Sequence, residues 1–138
     1  MRRLRVGVAV ALASLLGPGL LLAQQGLSKR DGQGPVSVTV TLIEAPVTGT
    51  PVRVKVSLDT HSVPLDGIKF EEVVALGGPA GAAIAPTAVE QAKGAGHHRE
   101  AVLAFPPVPV GAREVRIVVR NVGGAGERNF AWDLPIGQ

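Results

Sequence analysis

From Val36 onward the apolar positions recur with a period of two. Val36, Val38, Val40 and Leu42 alternate with Ser37, Thr39 and Thr41, the pattern of a strand with one buried face. Val52, Val54, Val56 and Leu58 alternate with Arg53, Lys55 and Ser57 in the same way. A third apolar run, Ile68 to Leu76, stops at Gly77-Gly78-Pro79. Gly81 to Pro86 is a weaker segment of small residues. Glu100 to Phe105 forms a short apolar strand ended by Pro106-Pro107. Val115, Ile117 and Val119 alternate with Arg116, Val118 and Arg120, and Phe130, Trp132 and Leu134 mark one more strand. Only Thr87 to Lys93 carries a pattern suited to a helical turn.

Six or seven short strands without a βαβ rhythm predict an all-β, antiparallel, immunoglobulin-like sandwich, the commonest answer at about 100 residues. A jelly-roll-like or cupredoxin-like sandwich is the alternative, because the Cys pair and the Tyr corner of immunoglobulin domains are absent. Eighteen Gly and eleven Pro suit a turn-rich β domain and not a helical bundle. Val122 to Glu127 is glycine-rich but has no strand-to-helix context and no Lys, so it reads as a hairpin connection. Trp132 reads as core packing.

The segment before the strands has a different character. Arg2, Arg3 and Arg5 precede an apolar stretch from Val6 to Leu16, Gly17-Pro18-Gly19 breaks it, and Leu20-Leu21-Leu22-Ala23 leads into Gln24-Gln25. That order is a secretory leader. The expected organisation is a cleaved signal peptide over 1–23, a flexible lead-in over 24–35 and a β-sandwich domain over 36–138. It predicts an exported protein, periplasmic or extracellular, with no transmembrane anchor after cleavage.

Export changes the charge argument. The whole chain has 14 Lys+Arg, 11 Asp+Glu and a formal charge of +3. Removing the three leader arginines leaves 11 basic residues against 11 acidic ones, scattered through the chain. With no Tyr, three Phe and one Trp there is no stacking platform, so a nucleic-acid partner is not expected. The absence of Cys removes disulfides, thiolate metal sites and cysteine nucleophiles together.

Candidate chemistry gathers at two strand ends. His61 follows Leu58-Asp59-Thr60, and His97-His98 lie within Gly94-Ala95-Gly96-His97-His98-Arg99-Glu100. Asp59 and His61, two residues apart, share a face if the strand continues. These residue types suit Zn²⁺ or Cu²⁺, with His61, His97, His98 and Asp59 as candidate ligands. A blue-copper centre is excluded without Cys. The competing reading is a structural clamp: imidazoles bond loop carbonyls, Arg99 pairs with Asp59 or Asp66, and Ser62 supports the loop. An Arg beside the cluster also opposes a dication. A Ser-His-Asp hydrolase built from Asp59, His61 and Ser62 fails on geometry, because adjacent His61 and Ser62 project to different sides of an extended chain.

Leu58-Asp59-Thr60-His61-Ser62, Gly96-His97-His98-Arg99 and the late Glu127-Arg128-Asn129-Phe130-Ala131-Trp132 together resemble an uncharacterised family of small exported bacterial β-sandwich domains with LDTHS and GHHR motifs. The resemblance spans about Val36 to Leu134. It implies an extracytoplasmic sandwich whose His-containing segments belong together. The expected function is therefore a non-catalytic binding domain with a His/Asp loop site for a divalent metal. The alternative is a structural or protein-interaction domain of the cell envelope.

Overall fold

The computed structural model describes residues 26–135; the leader lies outside the described residues. Nine strands run in chain order: β1 (Ser28–Asp31), β2 (Val36–Leu42), β3 (Pro51–Thr60), β4 (Val74–Gly77), β5 (Ala83–Ile84), β6 (Ala88–Ala95), β7 (His98–Pro107), β8 (Glu114–Val122) and β9 (Ala125–Asp133). One helical turn, α1 (Phe70–Val73), precedes β4. Among the described residues no helix is long and apolar enough to cross a membrane.

The strands form two antiparallel sheets ordered β1-β2-β3-β7-β6 and β5-β4-β8-β9. With β1 set aside, these are the A-B-E-D and C′-C-F-G orders of an immunoglobulin-like sandwich. The alternating residues meet between the layers. Val36 to Leu42 and Val52 to Leu58 face Leu76, Ile117, Val119, Phe130 and Trp132 across a core in which nearly every apolar side chain is buried. A period of two allows this, because it puts the whole apolar set of each strand on one side.

Three segments differ from the sequence expectation. The lead-in expected over 24–35 contains β1, which pairs with β2 from Ser28↔Thr41 to Asp31↔Val38. It has no apolar alternation because, at the sheet edge, it buries no face of its own. Side chains from elsewhere hold this segment: Trp132 Nε1 donates to the Gly26 carbonyl at 3.1 Å, and Lys29 lies 5.5 Å from the Trp132 ring centre. Thr87 to Lys93 is not helical; Ala88–Ala95 is edge strand β6, almost wholly exposed. Ala, Glu, Gln and Lys favour helix intrinsically, and pairing with β7 overrides that preference. Finally, Ile68 to Leu76 is not one strand. Phe70–Val73 makes the turn α1 before the chain enters the second sheet as β4, and the last strand stops at Asp133, before Leu134.

The β8–β9 connection is the expected hairpin. Val122 pairs with Ala125, and Gly123 and Gly124 both have positive φ, +63° and +75°, which a two-residue primed turn requires. A Cβ on Gly123 would lie 2.7 Å from Val36 Cγ2, so the hairpin packs directly on β2.

Arg128 enters the core side of β9 with 2% exposure. Its Nη1 donates to the Val36 carbonyl at 2.7 Å and the Asp31 carbonyl at 3.3 Å. Its Nη2 donates to the Gln33 carbonyl at 2.8 Å and the Val122 carbonyl at 3.2 Å. Asp31 Oδ1, 3.7 Å away, supplies the counter-charge. Arg128→Met should lower stability by roughly 3–5 kcal/mol, because it orphans buried carbonyls and a carboxylate. Arg128→Lys should recover only part of the loss, since an ammonium lacks the planar fork. Urea midpoints compared with the parent chain measure both.

Candidate functional site

The candidate residues collect at the end of the sandwich where β3 stops and β7 starts. Alternation along β3 puts Arg53, Lys55, Ser57 and Asp59 on the outer face, and Thr60 turns inward. In register, Asp59 stands opposite His98 and Ser57 opposite Glu100. Ala95 pairs with His98, which leaves Gly96-His97 as a two-residue turn between β6 and β7. Gly94 is required here: its φ is +90°, and a Cβ would run into the His98 carbonyl.

Thr60 organises the loop that follows. Its hydroxyl donates to the Pro35 carbonyl at 2.7 Å and accepts from the Ser62 and Val63 N–H groups at 3.2 Å. The loop then wraps around the β6–β7 hairpin. Thr60 N–H bonds the His97 carbonyl and Leu65 N–H the Gly96 carbonyl, both at 3.0 Å. Asp66 Oδ1 accepts from Gly96 N–H at 3.0 Å. Arg99 Nη1 donates to the Leu65 carbonyl at 2.9 Å and also to the Ile68 carbonyl. The Arg99 guanidinium rests 5.2 Å from the centre of the Phe70 ring. Leu65, fully buried, plugs the core beneath.

The structure thus separates the candidate residues into different tasks. His98 Nδ1 donates to Asp59 Oδ1 at 2.6 Å, and His98 Nε2 faces Glu100 Oε2 at 3.6 Å. Glu100 also pairs with Lys93 at 2.9 Å, which holds its carboxyl below the usual range. Asp66 and Arg99 bind loop backbone, so the expected pairing of Arg99 with Asp59 or Asp66 is not formed. β3 ends at Thr60, so the alternation that would put His61 beside Asp59 ends too. His61 and His97 are exposed and line an open groove of about 740 Å³ with Arg30, Ser37, Asp59 and Ser62. Among the described residues, no three His, Asp or Glu side chains converge in a way that could hold a metal ion.

Sequence reasoning missed Thr60, Glu100 and Lys93. Thr60 carried one signal, a polar residue on the inward side of an alternating strand, where only a bonded hydroxyl is tolerated.

The hydrogen bond to Asp59 raises the His98 imidazole above its ordinary value of roughly 6.5, against a smaller opposing effect of desolvation. A raised folded-state value means that the stabilisation is complete below roughly pH 6.5 and is lost as pH rises through the folded value. Thermal midpoints should therefore fall as pH rises above about 6.5, a change worth less than about 1 kcal/mol because both side chains are half exposed. His98→Asn should flatten that slope in a melting series across pH.

No protein-family model, curated protein or solved structure matches the chain.

Proposed function

We propose that the chain is an exported, non-catalytic interaction domain of the cell envelope, in which the Thr60 to Lys69 loop and the β6–β7 hairpin form a structural clamp. The observation that carries this reading is the placement of Asp66 and Arg99. Both side chains bond to backbone groups of the opposing segment, and Arg99 holds two carbonyls at once. A residue bonded in this way fixes loop geometry and is not available to a ligand. The Asp59–His98–Glu100 row fits the same reading. It is a cross-strand ladder continued by Lys93, and two of its three members are already anions facing one imidazole.

Export is supported by Arg2, Arg3 and Arg5 ahead of the Val6 to Leu16 apolar stretch, with cleavage after Ala23. An interaction role is supported by the outer edge of β6, eight residues long and, among the described residues, paired only with β7. A register shift between Glu90 and Lys93, with Gln91 at φ +49°, interrupts that edge and limits unselective strand addition.

Asp66→Ala should cost about 1 kcal/mol and Arg99→Met about 2 kcal/mol in urea unfolding. Micromolar Zn²⁺ or Cu²⁺ should give neither stoichiometric binding nor a shift in melting temperature. Saturable metal binding that His61→Ala abolishes would replace the clamp with a metal site. Amino-terminal sequencing of the protein recovered from outside the cytoplasm should begin at Gln24.

A further inference from the structure

The opposite end of the sandwich has the reverse character. β7 carries the chain from His98 to Pro107, roughly 30 Å at strand rise. Beyond it, the β7–β8 loop faces the β4–β5 connection across a concave cleft of about 590 Å³, within the range of small-molecule sites. Leu76, Val108 and Val115, all buried, line it from the core side, and Ile84 and Val110 line its mouth. Val110 is 89% exposed.

Both walls are preformed. Gly78 N–H bonds the Ala82 carbonyl at 2.7 Å, and Ala82 N–H bonds the Pro79 carbonyl at 3.1 Å. On the other side Ala112 N–H bonds the Pro109 carbonyl at 3.1 Å, and Gly49 N–H ties the loop down at the Val108 carbonyl, 3.2 Å away. A cleft that needs no ordering on binding retains more of its contact energy as affinity.

Its polar groups are few and mostly cationic. Arg113 is exposed at the rim and makes no ion pair among the described residues. Arg116 lies across Gly77, where a Cβ would meet its Nε at 2.8 Å; only glycine leaves that path open. The Arg116 Nε is buried and has no hydrogen-bond partner among the described residues. Glu114 Oε1, at 3.8 Å, is too far to supply one. Among the lining residues two guanidinium groups stand against one carboxylate, and Glu127, outside the lining, also feels the Arg116 charge.

We propose that this cleft binds a small amphiphilic carboxylate, with the acyl or aromatic body against Ile84, Val108 and Val110 and the carboxylate at Arg113 and Arg116. Arginine suits that head because its planar donors match a carboxylate in two-point contact. The site is at the far end from the clamp and does not depend on it.

Titration of the ¹⁵N-labelled chain with decanoate below its micelle concentration tests the proposal. Saturable shifts should concentrate in residues 77–84 and 108–116, with decanol at least tenfold weaker. Arg116→Met should weaken decanoate about tenfold, the equivalent of one charge-assisted contact of about 1.4 kcal/mol. Val110→Asp should weaken it too; Val110 is exposed, so that variant keeps its fold, and the amide spectrum verifies this for each. The proposal is overturned by no saturation at about 1 mM, by equal affinity for decanol, or by shifts centred at His61 and His98. Binding to anionic phosphatidylglycerol vesicles without binding to free decanoate would also overturn it, by assigning the exposed apolar rim to a lipid surface.

Discussion

The turn that joins β1 to β2, Gly32-Gln33-Gly34-Pro35, has no apolar side chain to bury, and carbonyls in and beside it meet the interior. The Asp31 and Gln33 carbonyls are part-buried and that of Val36 is buried, so these oxygens need donors. Arg128 supplies them from β9, on the edge of the other sheet, so one guanidinium closes the open side of the sandwich between β1 and β9. Antibody domains close their two sheets with a disulfide between strands B and F. A chain without Cys uses a fork of hydrogen bonds in a neighbouring place. The fork carries a desolvation cost that a disulfide does not, and Asp31 offsets it only from 3.7 Å.

The polar end depends on that closure. Arg128 holds the Val36 carbonyl, Val36 is in register with Thr60, and the Thr60 hydroxyl bonds the adjoining Pro35 carbonyl. The same hydroxyl starts the loop that reaches Leu65 and Asp66, and these meet the β6–β7 hairpin at Gly96. The hairpin in turn sets His98 against Asp59. Each step is a backbone group satisfied by a neighbour, which gives the end rigidity.

The strands with one buried face were legible in the sequence because a period of two is a direct image of burial. Val36 to Leu42 and Val52 to Leu58 appear in the structure as the alternation describes them. Strands β1 and β6 were not legible for the converse reason. An edge strand with both faces wet has no pattern to show, and its composition speaks only for intrinsic preference. The candidate site was legible as a neighbourhood. The segments carrying Asp59, Asp66, His98 and Arg99 do come together. Which residue meets which was not legible, because strand register sets Asp59 against His98, and register is a property of pairing between distant segments. Arg128 carried one sign, its place two residues before Phe130 on the inward period of the last strand, but between Glu127 and Asn129 it looks like another surface charge.

The two ends differ in what their connections are made of, and that difference decides where an outside molecule finds room. Connections at the Thr60 end are polar, and the hydrogen bonds between them draw the loop and the β6–β7 hairpin together beside the open groove that His61 and His97 line. The walls of the cleft at the other end are built largely from Pro, Gly, Ala and Val. Pro and Gly fix a backbone path by restricting or permitting particular torsions, without side chains that reach across to another loop. Such loops hold their shape while standing apart. Gly77-Gly78-Pro79 and Pro106-Pro107-Val108-Pro109 punctuate the sequence as strand stops, yet in three dimensions they form facing walls with apolar surface between them. The sandwich has a polar groove at the end tied by hydrogen bonds and a largely apolar cleft at the end held by proline and glycine, where the sequence looks most like mere punctuation.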